Sequence, residues 1–297
     1  MSTDTTAPRA SNPVTFNDDG IGEWTEDVVF EVTSERIAEY AAATNDPIEA
    51  HLKGEIASPV FAVVPTFFSM APAALEVAPV ELLMKLVHGE QDFHFHAPIR
   101  PGDVLTCRAR ATGYAALSTG STVVVKAETR NQDDVLVNEQ FITAFFRGVD
   151  AGKNVGELAP GHALDPALTS GTPVAEVTAH VDEDQTFRYS PASGDPMPIH
   201  LDEEIAQMSG LPGIINHGLC TMAFTSWAAL DSFVDGDVTK LKRFAVRFAK
   251  PVLPGQDITT RFWSLPADVS GGDRAVGFET SVGDDLVIRD GLAVFTN

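Results

Sequence analysis

The run YAAATNDPIEAH at residues 40–51 recurs as YSPASGDPMPIH at residues 189–200, and this repetition decides how the chain is organised. Both copies keep a tyrosine, an Asp-Pro pair and a histidine at the same spacing. Farther on, APIRPGDVL at residues 97–105 resembles KPVLPGQDI at residues 250–258. An internal repeat of this kind determines the fold before any local assignment is made. The sequence therefore predicts two related halves in tandem.

Each half predicts a short helix, a long apolar helix and then an antiparallel meander. Residues 219–233 are almost uncharged, which is typical of a helix surrounded by protein; residues 61–75 are the counterpart, made irregular by prolines. Three β-rich runs follow the Pro-Gly turn of each half, at 104–111, 121–129 and 135–146, then at 258–265, 275–282 and 286–295. The predicted fold class is α+β: a double hotdog, with two tandem antiparallel sheets each wrapped round a central helix.

The domain boundaries follow from the repeat. We expect a flexible N-terminal tail over residues 1–22, a first hotdog over 23–149, a Gly- and Pro-rich crossing linker over 150–173 and a second hotdog over 174–297. We also allow for a homodimer of two such double hotdogs.

The amino-acid composition indicates which classes of partner and which location to expect. A formal net charge of -22 disfavours nucleic acid and anionic membranes, whose binding depends on cationic side chains. No apolar run reaches the ~18 residues of a membrane span, and the polar start does not resemble a secretory signal, so we expect a cytoplasmic protein. Cys107 and Cys220 lie in apolar stretches of different halves, as reduced core thiols do. The histidine spacing predicts no metal site.

The segment YSPASGDPMPIHLDEEIA followed by IINHGL resembles the signature of the MaoC-like, (R)-specific enoyl-CoA hydratases, also called hydratase 2. That signature has an aromatic residue, S-G-D-x-N-P-I-H, a later Ala and then H-G-M. The matching residues are Tyr189, Ser193, Gly194, Asp195, Pro198, Ile199, His200, Ala206, His217 and Gly218. The motif covers about residues 189–221, and the repeat extends a looser double-hotdog likeness over most of the chain. Met197 stands where the family has Asn.

The resemblance implies reversible, cofactor-free hydration of trans-2-enoyl-CoA to (R)-3-hydroxyacyl-CoA. That reaction needs a base for the water, a proton for the α-carbon and stabilisation of charge on the thioester oxygen. Asp195 and His200 are the expected source of the first two, because prolines restrict the loop between them. Gly218, just before the apolar helix, is the expected oxyanion donor through its N–H.

Five further residues are expected to support the site: Tyr189, Ser193, Gly194, Met197 and His217. For His217 the alternatives of a hydrogen-bond donor behind the catalytic pair and simple packing stay open. Tyr189 fits either a buried helix face or a part in the site.

The first half keeps the Asp46 and His51 spacing but loses the rest of the motif. No Ser-Gly precedes Asp46, and Ser58-Pro59-Val60-Phe61 stands where Asn-His-Gly-Leu is expected; proline has no N–H to donate. We therefore expect a degenerate first half that shapes the substrate site. In double-hotdog relatives a shorter connection after this position leaves room for a long acyl chain.

A basic segment, KLKRFAVRFAKP at residues 240–251, stands out in this acidic chain. Strand alternation would turn Arg243 and Arg247 away from the core, and with Lys250 they are the expected CoA-binding residues. The alternative is an ordinary solvated strand face.

Other functions stay open at this point. They are a 3-hydroxyacyl dehydratase acting on an acyl-carrier-protein thioester, a thioesterase, and a non-catalytic acyl-thioester-binding protein. An acidic carrier protein would have to dock on an acidic chain, which favours an acyl-CoA thioester as the partner.

Overall fold

The computed structural model describes residues 14–266 and 272–296. The first half consists, in chain order, of β1 Val28–Glu31, α1 Ser34–Ala43, α2 Glu49–Leu52, α3 Val63–Leu75, β2 Leu86–Phe95, β3 Val104–Leu117, β4 Gly120–Arg130 and β5 Leu136–Arg147. The remainder consists of β6 Val155–Gly156, α4 Pro166–Thr169, β7 Ala175–His180, α5 Gln185–Ser193, α6 Glu203–Met208, α7 Gly218–Val234, β8 Leu241–Phe248, β9 Asp257–Ser264, β10 Arg274–Val282 and β11 Asp285–Phe295. Short 3₁₀ turns lie at Asp18–Gly20, Pro59–Ala62, Val80–Lys85, Pro198–His200 and Val238–Lys240.

The strands form one antiparallel sheet in the order β1-β3-β4-β5-β2-β8-β11-β10-β9-β7, with β6 paired to β3. From the centre of the sheet outward, the first half has the order β2, β5, β4, β3, β1. The second half has the equivalent order β8, β11, β10, β9, β7. The predicted double hotdog is confirmed, and its two sheets join edge to edge where β2 pairs with β8 and Asp92 lies opposite Ala245.

Each half-sheet wraps a central apolar helix. In α7, Met222, Phe224 and Leu230 are almost fully buried, as expected for a helix covered on most sides. α3 fills the same place in the first half and follows directly on a 3₁₀ turn that starts with proline. Among the described residues, no helix has the length and apolar character needed to cross a membrane.

The predicted flexible tail over residues 1–22 is wrong in its second part. Phe16 is buried, with its ring 5.1 Å from the ring of Tyr114, so residues 14–22 pack onto the first half. Burial of an aromatic ring outweighs the polar character of the surrounding sequence. Residues 1–13 lie outside the described part of the chain.

The connection over residues 150–173 contains β6 and α4 and packs on both half-sheets. At Gly277 of β10 a Cβ would lie 2.6 Å from Leu164 of this connection, so the absence of a side chain allows the close approach.

Candidate active site

The loop that carries Asp195 is fixed by the end of α5. Gly194 ends this helix in the left-handed region, at φ 80°, which glycine adopts without the steric cost of a Cβ. Ser193 Oγ accepts from the N–H of Asp195 at 3.2 Å, and Ser190 Oγ donates to the carbonyl oxygen of Asp195 at 2.7 Å. The backbone of Asp195 is therefore held at both its N–H and its C=O.

His200 is oriented by the backbone rather than by a carboxylate. Its Nδ1 donates to the carbonyl oxygen of Ile215 at 2.8 Å. Since a carbonyl only accepts, the proton of neutral His200 sits on Nδ1, and Nε2 keeps a lone pair. Asp195 Oδ1 accepts from the N–H of Met197 at 3.0 Å. Each member of the Asp195–His200 pair thus has its own backbone anchor.

Aromatic rings fix the plane of the His200 imidazole. His217 stacks on it, with ring centroids 3.8 Å apart and an angle of 26° between the planes. The ring centroids of Tyr189 and His217 are 4.8 Å apart. The hydroxyl of Tyr189 shares a 3.2 Å hydrogen bond with the hydroxyl of Tyr40 in the first half. Neither ring nitrogen of His217 has a partner in good hydrogen-bond geometry. Tyr189 therefore packs on His217, His217 packs on His200 and also interacts with the backbone of Asp195, and Tyr40 connects them to the other half.

Burial sets the protonation of the site. Desolvation raises the pKa of Asp195 and lowers the pKa of His200, although the attraction between the two groups opposes both shifts. Desolvation and the neighbouring His200 lower the pKa of His217 to about 2. Both imidazoles are therefore neutral near pH 7, and burial disfavours the ionised form of Asp195.

α7 brings the predicted oxyanion donor to the same place. It begins at Gly218, next to His217, and the first N–H groups of a helix have no partner within it and carry partial positive charge. A Cβ at Gly218 would lie 3.3 Å from the ring of Phe248, so this position has little room for a side chain. The structure thus brings together Asp195, His200, His217 and Gly218, as the motif predicts.

A metal ion is the other species that these side chains suggest. Ligand atoms of Asp195, His200 and His217 lie within 4.8 Å of one another, the one such group found in residues 14–266 and 272–296. However, a shared ion requires imidazole lone pairs that converge on it, whereas these rings stack with only 26° between their planes. That no metal is needed stays a prediction.

Two of the cations predicted to bind CoA are paired inside the chain. Arg243 donates to both carboxylate oxygens of Asp92, at 3.0 and 2.8 Å, and Arg247 donates to Glu90 at 2.6 Å. These pairs lie on the β2–β8 seam, and Asp92 is almost fully buried. Carboxylates of the neighbouring strand therefore pair with both arginines, and CoA binding by Arg243 and Arg247 stays a prediction.

Lys250 differs from the two arginines. Its Nζ lies 2.5 Å from Asp285, but the two side chains are 56% and 67% exposed. An ion pair this exposed contributes little and exchanges readily. Lys250 follows Phe248, the ring that borders Gly218, by two residues in the chain, and its binding to CoA stays a prediction.

Comparison with known proteins agrees with this geometry. A family profile described as "MaoC like domain" matches residues 167–282, and one described as "FAS1-like, dehydratase domain region" matches residues 19–140. The structure of a MaoC-like dehydratase from Phytophthora capsici superposes with a TM-score of 0.78 at 23% identity, over 94% of this chain and 97% of that one. The chain belongs to the MaoC-like dehydratase family.

Two curated relatives extend the comparison. The chain is 30% identical over 216 residues to peroxisomal multifunctional enzyme type 2 of Drosophila melanogaster, which covers 68% of this chain and 36% of that protein. It is 29% identical over 183 residues to probable enoyl-CoA hydratase 2 of Dictyostelium discoideum, which covers 61% of this chain and 62% of that protein. The chain therefore spans less than two thirds of the length of either relative.

Met197, the departure from the MaoC-like signature, leaves the loop geometry intact. Its side chain is 49% exposed, and its contact with Asp195 is made by the backbone N–H. Since any residue other than proline supplies that N–H, the substitution removes a polar side chain without loosening the loop.

The MaoC-like arrangement is assembled in the second half only. In the first half His51 Nδ1 donates directly to Asp46 Oδ2 at 2.7 Å, and both side chains are almost completely buried. The helix start equivalent to Gly218 is the 3₁₀ turn Pro59–Ala62, whose first residue has no N–H.

Sequence reasoning missed Ser190, the carbonyl of Ile215 and the link from Tyr40. Tyr40 carried a signal, because it is the repeat partner of Tyr189. The sequence contains no indication for Ser190 or for the carbonyl of Ile215, because their roles depend on the path of the loop.

Proposed function

We propose that the chain is a hydro-lyase that catalyses the reversible, (R)-specific hydration of trans-2-enoyl-CoA to (R)-3-hydroxyacyl-CoA without a cofactor. The separate backbone anchors of Asp195 and His200 carry this proposal, because they leave the second carboxylate oxygen and Nε2 available to one water. The relative named enoyl-CoA hydratase 2 supports the same reaction.

In the hydration direction, Nε2 of His200 takes a proton from the water while its oxygen bonds to C3 of the substrate. The C2–C3 π electrons move toward the thioester, whose oxygen becomes an enolate held by the N–H of Gly218. Protonated Asp195 then gives its proton to C2, and the proton on His200 returns to Asp195. Burial favours the required starting state, since it raises the pKa of Asp195 and lowers the pKa of His200.

The first half, in this proposal, shapes the acyl-binding region, and the acyl-CoA thioester is the partner. Homodimer formation and a cytoplasmic location stay predictions.

The test is to incubate the purified chain with crotonyl-CoA and a longer trans-2-enoyl-CoA, follow the loss of the enoyl thioester, and separate the product enantiomers. We expect hydration with the (R) product. Binding without turnover would instead support an acyl-thioester-binding protein. Turnover only of a thioester on acyl carrier protein would support the dehydratase, and release of free CoA would support a thioesterase.

A further inference from the structure

A cavity lies beside the degenerate copy of the motif, where the end of β2 meets the start of β8. Its volume is about 170 Å³. The residues that line it come from the central helical segment and from the strand ends, and they include Ser58, Pro59, Phe95, Thr239, Leu241 and Thr296. We call it the first-half cavity, because Pro59 belongs to the turn that corresponds to the start of α7.

The internal repeat gives the first-half cavity a counterpart in the second half. Leu241 is the first residue of β8 and pairs with Phe295. In the same way, Leu86 is the first residue of β2 and pairs with Phe146. Because β2 and β8 run antiparallel, exchanging the two halves moves the cavity to the place where the end of β8 meets the start of β2. We call this place the entrance.

The entrance adjoins the proposed active site. Phe248, the last residue of β8, packs against His88 near the start of β2, with ring centroids 5.1 Å apart. The same Phe248 ring borders Gly218, the proposed oxyanion donor. A thioester held at Gly218 can therefore extend past the start of β2.

Two exposed cations lie at the entrance. Lys85 directly precedes Leu86, and Arg147 directly follows Phe146. Since Leu86 pairs with Phe146, the two cations are neighbours at adjacent strand ends. In the part of the chain that the structure describes, neither forms an ion pair. Most other lysines and arginines, by contrast, pair with a carboxylate.

We propose that Lys85 and Arg147 bind the phosphates of CoA at the entrance to the active site. This rests on the proposed hydratase function. A chain of net charge -22 repels CoA at long range, so its phosphates require cations that no carboxylate already neutralises. A guanidinium donates two parallel hydrogen bonds to a phosphate, and an ammonium adds a compact positive charge.

The position of the two cations also suits the shape of the substrate. Lys85 precedes His88 by three residues, which is on the order of 10 Å along a strand. The pantetheine arm separates the phosphates of CoA from its thioester, so phosphates bound at Lys85 leave the thioester free to reach Gly218.

The first-half cavity provides a matched control. Lys240 directly precedes Leu241 as Lys85 precedes Leu86, ends a 3₁₀ turn in the same way and is also exposed. After Phe295, however, Thr296 stands in the position of Arg147. Lys240→Ala therefore removes the same charge from the corresponding place beside the degenerate half.

The experiment compares crotonyl-CoA with crotonyl-N-acetylcysteamine, which has the same thioester but no phosphate. The double variant Lys85→Ala/Arg147→Ala should raise KM for crotonyl-CoA about fivefold or more and leave kcat nearly unchanged, because exposed charges contribute uniform binding. Its kcat/KM for crotonyl-N-acetylcysteamine should stay unchanged. Lys240→Ala should change neither substrate.

An unchanged KM for crotonyl-CoA in the double variant would overturn the proposal. An equal loss of kcat/KM with both thioesters would also overturn it, because the substitutions would then disturb the active site rather than phosphate binding. If the unmodified chain hydrates neither thioester, the proposed function fails, and the Kd of CoA measured by calorimetry tests the two cations alone. A Kd that the double variant does not raise would overturn the proposal in that case.

Discussion

The two halves contain the same Asp-x4-His pair, and they hold it in opposite ways. In the first half His51 donates to Asp46 directly, at 2.7 Å, so each side chain uses the other as its partner. In the second half His200 donates to a backbone carbonyl, and Asp195 accepts from a backbone N–H. Residue type and spacing are shared, so the two pairs differ in what occupies Nδ1 of the histidine.

The first residues of the two central helical segments differ as well. Gly218 offers an N–H at the beginning of α7, whereas the matching turn in the first half begins with Pro59. Pro59 removes one of the N–H donors that the start of a helix normally offers. The first half is therefore better suited to shape the substrate site than to react.

The largest expected effect is on turnover in the second half. Asp195→Asn and His200→Ala should each lower kcat by at least ~10², since each removes a general acid-base group. Steady-state assays with crotonyl-CoA, beside circular dichroism to verify the fold, provide the measurement. The matched variants Asp46→Asn and His51→Ala should keep kcat per folded molecule, and the opposite pattern would assign the chemistry to the first half.

The next effect is on stability in the first half. His51→Ala leaves the buried Asp46 carboxyl without its side-chain partner, and breaking such a pair lowers the free energy of unfolding by about 3–5 kcal/mol. Chemical denaturation measures this loss. Asp46→Asn, which keeps the size and a polar atom, should cost less. An unchanged denaturation midpoint in His51→Ala would show that the direct pair does not stabilise the half.

The sequence predicted the fold because its signals are local and repeated. The apolar run at 219–233, the Pro-Gly turns and the recurring motif required no knowledge of distant contacts, and α7 at Gly218–Val234 lies where that run predicts a helix. The motif also indicated which side chains meet, since Asp195 and His200 are tied to one short loop.

What the sequence did not predict depends on residues far apart in the chain. Arg243 and Arg247 read as free cations because their carboxylates lie on β2, more than a hundred residues earlier. Likewise, Phe16 follows a polar stretch, and nothing local signals that it packs on Tyr114. Strand pairing across the β2–β8 seam creates the two arginine contacts, and packing of the N-terminal segment on β3 creates the third.

A smaller effect is expected in the pH dependence of kcat/KM, which should report on the Asp195–His200 pair. The active form of the Asp195–His200 pair carries one proton, so kcat/KM should fall at low pH as a second proton binds and at high pH as the first is lost. Because the pKa of His200 is lowered, the fall of kcat/KM on the acid side should have its midpoint below the ordinary histidine value of ~6.5. Because the pKa of Asp195 is raised, the fall on the alkaline side should move to higher pH. An acid limb above that value would contradict burial as the controlling factor, and Asp195→Asn should remove the alkaline limb from any residual activity.

The smallest expected effect concerns Lys250, the one predicted CoA contact whose partner is itself exposed. Lys250→Ala should raise KM for the CoA ester about two- to fivefold and weaken its salt dependence, with kcat nearly unchanged, because an exposed charge contributes weak, uniform binding. Lys53→Ala is the matched control, since Lys53 forms an equally exposed pair with Glu49 on α2 of the first half. KM measured at low and moderate ionic strength separates the two variants. If both raise KM alike, the effect comes from net charge alone, and the CoA phosphates are held elsewhere than beside Phe248.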